Sequence, residues 1–334
     1  MIAIKNKDIR MEDAIIVAGT PRSGSTWIMD LLGWLPGYTI LYEPFHPQWF
    51  RESYTLSLQS RPYLPLESSW IEGEKYVKKV LSGKIISENP YFVHDKINSK
   101  FIVHRLLSNK LIVKSIRANR LLPWIHHNFK VKGIIFIIRH PCAVIYSQLK
   151  TGYTGYHRLT NGNFKDIIPD KNQLRKEVIK IEPYHPGIIE KIKEIEGQEE
   201  ILTVIWCIDN LIPLSYDQSS SWYILPYERL ITKGIKEVKN LFNWLEKDIP
   251  VETLKQFNIP SIVTREKEPL KVTEKNYQLS KWKRNLSNNT VKRILKIVSD
   301  FGLRFYTENL EPDYHNLENF QLTHSRSDLI LNNI

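Results

Sequence analysis

The chain predicts an α/β fold, a single domain in which a parallel sheet of four to five strands is flanked by helices and interrupted by two helical or loop insertions. Three observations lead there. Five short apolar runs of strand length fall at residues 14–18, 39–42, 111–114, 133–138 and 222–225. Between them lie amphipathic stretches with helical spacing, at 27–35, 74–81, 120–127, 143–149, 201–216 and 235–245. The strand candidates are near-continuously apolar rather than alternating, as expected for strands covered on both faces. With 334 residues and 42% hydrophobic content, the chain is long enough for one such domain with insertions.

Taken in order, residues 14–18 read as a buried strand, 19–24 as a tight loop, and 27–35 as the helix that follows. Residues 46–105 are rich in Pro, Ser and aromatics and form the first insertion. The second, 151–200, opens on Gly152, Tyr153, Gly155 and Tyr156 and then becomes charged. Long excursions at the ligand edge of an α/β sheet often serve as lids or acceptor-binding loops. The domain is expected to span 1–310. Residues 311–334 read as a polar, loosely packed tail.

Composition narrows the function. Cys142 and Cys207 are too far apart for a metal motif or a disulfide framework, which suggests a reducing, cytoplasmic setting. No signal peptide and no integral membrane segment is read in the chain. The net charge of +11 fits an anionic ligand, nucleic acid, or simply a solvated lysine-rich surface. The basic residues are dispersed and alternate with acids, which speaks against a nucleic-acid partner. Oligomeric state is left open.

The sharpest signal is AIIVAGTPRSGSTW, residues 14–27. Strand, glycine loop and helix N-terminus in that order form an anion cradle, because backbone N–H groups converge on the ligand. Gly19, Gly24 and Thr26 fit the G-x-x-x-x-G-K-[ST] pattern, but Ser25 stands where the lysine belongs. That lysine reaches the β- and γ-phosphates of a nucleoside triphosphate. A P-loop-like fold that lacks it, with Arg22 as the loop's cation, suits a shorter anionic group. Residues 133–149, GIIFIIRHPCAVIYSQL, repeat the pattern: a strand, Arg139 at its end, Pro141 opening a helix, and Ser147 two turns on. A cation and a hydroxyl so placed can grip a second phosphate; equally, they are a strand cap and a helix-face serine.

Together, PRSGSTW and RHPCAVIYS resemble the sulfotransferases that use 3′-phosphoadenosine 5′-phosphosulfate (PAPS), with loop motifs closest to carbohydrate-type members. The resemblance implies that Arg22, Ser23, Gly24, Ser25 and Thr26 line the 5′-phosphosulfate, that Trp27 stacks on adenine, and that Arg139 and Ser147 hold the 3′-phosphate. It also implies Tyr227, in LPYERL, near the adenine, and a tryptophan-containing C-terminal segment at SKWKRNLS, residues 280–287. The implied reaction passes a sulfuryl group from PAPS to a hydroxyl or amine of a glycan, glycolipid or small-molecule acceptor, with no metal required. Arg22 would stabilise charge on the departing phosphate oxygen.

Two departures from the family pattern matter. Cytosolic members place a histidine two residues after a strand lysine; here Lys114 is followed by Ile116 in that place. The segment LYEPFHP, residues 41–47, resembles carbohydrate-type members and makes Glu43 the candidate base, tuned by partial burial, with His46 as a substitute. Glu43 could instead be a structural carboxylate paired with an arginine. Lys114 either stabilises the sulfuryl group or ends its strand. The usual basic triplet before the late tryptophan is also missing, leaving Lys271, Lys275 and Arg284 as substitutes. Two other readings stand beside this one: a P-loop kinase or ATPase, and a non-catalytic nucleotide- or nucleic-acid-binding module.

Overall fold

The computed structural model describes residues 9–47, 49–56, 61–86, 108–153, 168–216, 222–259 and 275–324. Five strands, β1 (Ile15–Gly19), β2 (Tyr38–Tyr42), β3 (Lys110–Ser115), β4 (Gly133–Ile138) and β5 (Trp222–Pro226), form one sheet in the order β2-β3-β1-β4-β5. Every pairing is parallel. Each strand core falls on an apolar run expected from sequence, and all residues of β1, β2 and β4 are buried. Burial on both faces is what removes the alternation from these strands.

The alternate faces of the strands feed two cores. Ile15 and Val17 pack with Ile28, Met29 and Leu31 of the helix Ser25–Leu32, together with Leu225 and Phe242. Ala14, Ile16 and Ala18 pack with Val144 and Ile145 of the helix Pro141–Thr151, and with Trp206 and Ile208 of the long helix Gln198–Ser215. The helices that follow β1 and β4 therefore cover opposite faces. Their loops diverge above two adjacent strands, which opens a crevice at the carboxyl ends of β1 and β4.

Register fixes what lines that edge. Gly19 pairs with Ile137, Ala18 with Ser115, Tyr42 with Lys114, and Ile138 with Pro226. The segments beginning at Thr20, Glu43, Ile116, Arg139 and Tyr227 consequently leave the sheet at the same edge.

Two local expectations change. The first helix begins at Ser25 rather than Trp27, because Gly24 adopts a left-handed conformation and acts as its N-cap. Ser25 and Thr26 thus supply first-turn amides rather than loop atoms. The region expected to be a loose tail contains a helix, Tyr314–His324, whose Leu317 and Phe320 enter the larger core. Two buried apolar side chains contribute roughly 1.5–3 kcal/mol each, enough to hold a short helix in place. Their spacing of three residues was the signal. In the insertion segments, the described residues include the helices Arg51–Thr55, Ile71–Leu81, Lys171–Ile181 and Ile188–Lys191. Among the described residues, no helix is long and apolar enough to cross a membrane.

Candidate active site

The loop that follows β1 is shaped by what cannot fit. A Cβ on Gly19 would lie 2.4 Å from the Ile137 carbonyl oxygen, and one on Gly24 would lie 2.7 Å from Cδ2 of Tyr227. Gly24 also has φ of 103°, a conformation that side-chain-bearing residues rarely adopt. Both glycines therefore permit a close approach of backbones. Arg22 sits at φ 73° and Glu43 at φ 53° without that freedom. Backbone strain at a non-glycine residue persists only where surrounding contacts hold it, and such positions cluster at functional sites.

Three contacts hold the loop. The Gly19 amide donates to Asn119 Oδ1 at 3.1 Å, Gln148 Nε2 donates to the Pro21 carbonyl at 3.0 Å, and Arg139 Nη1 donates to the Arg22 carbonyl at 3.0 Å. Arg22 itself donates from Nε to Ser147 Oγ at 3.0 Å. The second motif is thus fastened to the first through both the backbone and the side chain of Arg22.

Arg139 lies with Cζ 4.1 Å from the centroid of the Tyr227 ring, a cation–π contact that orients the guanidinium. Tyr227 in turn meets Trp27 edge-on at 6.2 Å, and Trp27 is tilted against Phe257 at 5.1 Å. The structure therefore brings Arg22, Ser23, Gly24, Ser25, Thr26, Trp27, Arg139, Ser147 and Tyr227 into one continuous cluster at the β1–β4 crevice.

Several polar atoms there have no partner among the described residues. Thr20 Oγ1, Ser23 Oγ, Trp27 Nε1 and Arg139 Nε are all buried and unmatched. Buried polar groups are normally hydrogen-bonded, so such a concentration around a loop of converging amides is the expected signature of an anion-binding cradle. The donor set suits a phosphorylated or sulfated ligand.

Glu43 and Lys114 form a separate unit on the β2–β3 side of the edge. Lys114 Nζ lies 2.5 Å from Glu43 Oε1, and both side chains are essentially inaccessible. The Ile116 amide donates to the same carboxylate, at 3.0 Å to Oε1 and 3.2 Å to Oε2. Lys114 also lies 4.5 Å from the Tyr42 ring centroid. Burial alone would lower the Lys114 pKa, but Glu43 and Tyr42 outweigh it and the pKa is raised, so the ammonium stays charged. Partial burial was expected for Glu43; the structure gives complete burial, with a lysine as partner rather than an arginine.

His46 is held differently. Its ring stacks on Trp49 at 4.2 Å, and its Nε2 lies 3.1 Å from Arg117 Nη2. Arginine has no acceptor, so Nε2 is the accepting nitrogen and the imidazole is neutral. Burial, then the charges of Arg117 and Lys114, push its pKa down to about 2. A nitrogen of so little basicity is a poor general base.

Behind Arg139 lies a feature that sequence reasoning missed. Glu228, next to Tyr227 in the chain, is buried and accepts from the His140 amide at 2.8 Å and from the Tyr306 hydroxyl at 3.0 Å. Burial raises its pKa to about 7 despite those donors and the charge of Arg139. The His140 ring stacks on Trp282 at 4.5 Å, so the tryptophan of SKWKRNLS packs directly beneath the second motif. Asn119 and Gln148 were also unassigned, although each adjoins a stretch already singled out. Among the substitutes for the missing basic triplet, Lys271 lies outside the described residues. Arg284 folds back to donate to the Tyr277 carbonyl of its own helix at 3.0 Å. Tyr156 lies outside the described residues as well.

Comparison with known proteins follows this geometry. A model of the sulfotransferase domain family matches residues 12–300. No curated protein matches the chain in sequence. Among solved structures, the chain is similar to the sulfotransferase domain of the Synechococcus PCC 7002 olefin synthase, at 17% identity over 89% of this chain and 95% of that one, with a TM-score of 0.42. It is similar to mouse sulfotransferase SULT7A1 complexed with PAP, at 11% identity over 95% and 92% of the two chains, TM-score 0.46. The sulfotransferase domain from the curacin biosynthetic pathway gives 16% identity over 86% and 96%, TM-score 0.42. The match over 12–300 spans most of the 334 residues, so the chain belongs to the sulfotransferase domain family, whose general activity is sulfuryl transfer.

Proposed function

We propose that the protein transfers a sulfuryl group from PAPS to a hydroxyl or amine of a glycan, glycolipid or small-molecule acceptor by in-line displacement. The observation that carries the reading is the double fastening of the two motifs, Arg139 Nη1 to the Arg22 carbonyl and Arg22 Nε to Ser147 Oγ, both at 3.0 Å. Two anion-binding stretches joined within one crevice suit a ligand with charge at two ends. In this reading the amides of Gly24 to Thr26 and the Ser23 hydroxyl bind the 5′ side, Arg139 and Ser147 bind the 3′-phosphate, and the Trp27–Phe257–Tyr227 aromatics flank the base.

The acceptor oxygen forms its bond to sulfur as the bond from sulfur to the 5′-phosphate oxygen breaks, and the acceptor proton passes to a base. Arg22 stabilises the departing oxygen electrostatically, since arginine does not readily release its proton. Reaching that oxygen requires its guanidinium to exchange Ser147 for the ligand. Lys114 offers a second fixed positive charge. Glu43 remains the candidate base, through Oε2, whose contact with the Ile116 amide is the longer of the two at 3.2 Å. The ion pair supports a second role for Glu43, that of holding Lys114 in place.

The donor reading is tested by thermal stabilisation, without added metal, by adenosine 3′,5′-bisphosphate, ATP and AMP. A ligand that binds only the folded state raises its stability. Selective stabilisation by the bisphosphate supports the reading; equal or greater stabilisation by ATP favours the kinase alternative and removes it.

A further inference from the structure

A cleft of about 290 Å³ lies where the two insertion segments meet, lined by Arg61, Tyr63, Ser69, Trp70, Arg120 and Lys180, among others. Beneath it runs a buried charge network. Arg61 donates to Glu177 through Nε at 3.1 Å and Nη2 at 2.7 Å, and to the Tyr153 hydroxyl through Nη1 at 2.7 Å. Arg120 donates to the same carboxylate from Nη1 at 2.9 Å, and to Asp209 from Nε at 2.6 Å. The Arg120 side chain is fully buried, yet its remaining nitrogen, Nη2, has no partner among the described residues. A desolvated guanidinium N–H without an acceptor is costly to leave unmatched. Around and beneath the cleft, the three cations Arg61, Arg120 and Lys180 outnumber the two carboxylates, Glu177 and Asp209.

The cleft is tied to the donor site at two points. Arg120 directly follows Asn119, the residue that accepts from the Gly19 amide. Tyr153 lies just beyond the helix Pro141–Thr151, which carries Ser147 and Gln148 onto the phosphate loop. Arg120, and the Tyr153 that accepts from Arg61, are therefore close in the chain to residues that shape the loop.

We propose that this cleft binds the acceptor, and that the acceptor is a hydroxylated ring compound bearing a carboxylate. The positive excess and the unmatched Arg120 N–H recognise the oxyanion, preferably in a planar, hydrogen-bonded geometry. Tyr63 and Trp70 provide ring faces. The inference rests on the sulfuryl-transfer reading, because it assigns the cleft to the second substrate of that reaction. A sugar acid and a phenolic acid share the required chemistry.

The test uses calorimetric titration of the full chain with two matched pairs: methyl glucuronide against methyl glucoside, and 4-hydroxybenzoate against 4-hydroxybenzamide. Two charge changes on exposed rim residues accompany it, Lys180→Glu and Ser69→Asp, neither of which touches the buried network. Binding of an acid at least about tenfold tighter than its neutral partner, with about tenfold weakening in each variant, is expected from Coulomb interactions at a partly solvated rim. The pair that shows the preference identifies sugar or phenol. Equal binding of acid and neutral forms, no binding of either, or an acid preference unchanged in both variants overturns the inference. Titration with adenosine 3′,5′-bisphosphate in parallel separates the two claims. Retained bisphosphate binding with no acid preference defeats only the cleft assignment, whereas an acid preference without bisphosphate binding defeats the donor reading on which its catalytic meaning depends.

Discussion

Glu228→Gln isolates a single buried carboxyl. In the fold its pKa stands at about 7, against an ordinary 4.5, because burial outweighs the His140 amide, the Tyr306 hydroxyl and the Arg139 charge. A pKa raised by folding means that the native state holds the proton more tightly than the open chain. The associated stability is therefore fully present below about 4.5, declines as pH rises, and is gone above about 7. At 1.36 kcal/mol per pH unit, the gap between 4.5 and about 7 corresponds to roughly 3 kcal/mol, of which about 2.5 kcal/mol is lost between pH 5 and pH 8. His140, whose amide meets the carboxylate, is held at about 4 by burial and so changes little across that interval.

Urea denaturation of wild type and variant at half-unit steps from pH 5 to pH 8 reads this directly. The difference between the two stability curves removes pH effects common to both. Glutamine can still accept from the His140 amide and donate to Tyr306, so the fold should survive. The expected result is that wild type loses about 2.5 kcal/mol relative to the variant as pH rises across that range. Parallel curves would refute the argument, because they would mean that Glu228 is already ionised, or is solvated, throughout.

Gly24→Ala combines a left-handed backbone with a Cβ 2.7 Å from the Tyr227 ring, so the melting temperature should fall by the equivalent of roughly 1–3 kcal/mol and bisphosphate affinity should drop. Arg139→Ala should weaken bisphosphate binding by about tenfold or more in calorimetry, the size of one charge-assisted hydrogen bond, and lower stability by roughly 1–2 kcal/mol through the lost contacts to the Arg22 carbonyl and the Tyr227 ring. Glu43→Gln should keep bisphosphate binding and lose turnover, and because it leaves a buried ammonium without its counter-ion it should also cost about 3–5 kcal/mol in denaturant unfolding. Adding Lys114→Met to that variant should restore stability without restoring activity; recovery of turnover in the double variant would show that neither the Glu43 carboxylate nor the Lys114 charge takes part in the chemistry.

The sheet was legible because its physics is local. A strand covered on both faces must be apolar along its length, and a parallel sheet puts the residues after every strand at one edge. Given those two facts, Gly19, Arg139 and Tyr227 had to emerge together, and the motifs could be read as one crevice. The contacts that lie across the chain were not legible. Glu228 follows Tyr227 and looks like any helix-initiating acid, but its raised pKa comes from burial, and one of its partners, Tyr306, lies 78 residues later in sequence. Glu43 was singled out by its flanking residues, yet whether it meets Lys114 or an arginine depends on the register Tyr42↔Lys114 between strands whose partnership no spacing announces. The same holds for Arg120, which reads as part of an amphipathic helix. Only the fold brings Asp209 and Glu177 to its side, and only then does its one unmatched nitrogen become visible. Electrostatic partners in this protein are thus set by topology, so what each charged residue does follows from the sheet order rather than from its neighbours in sequence.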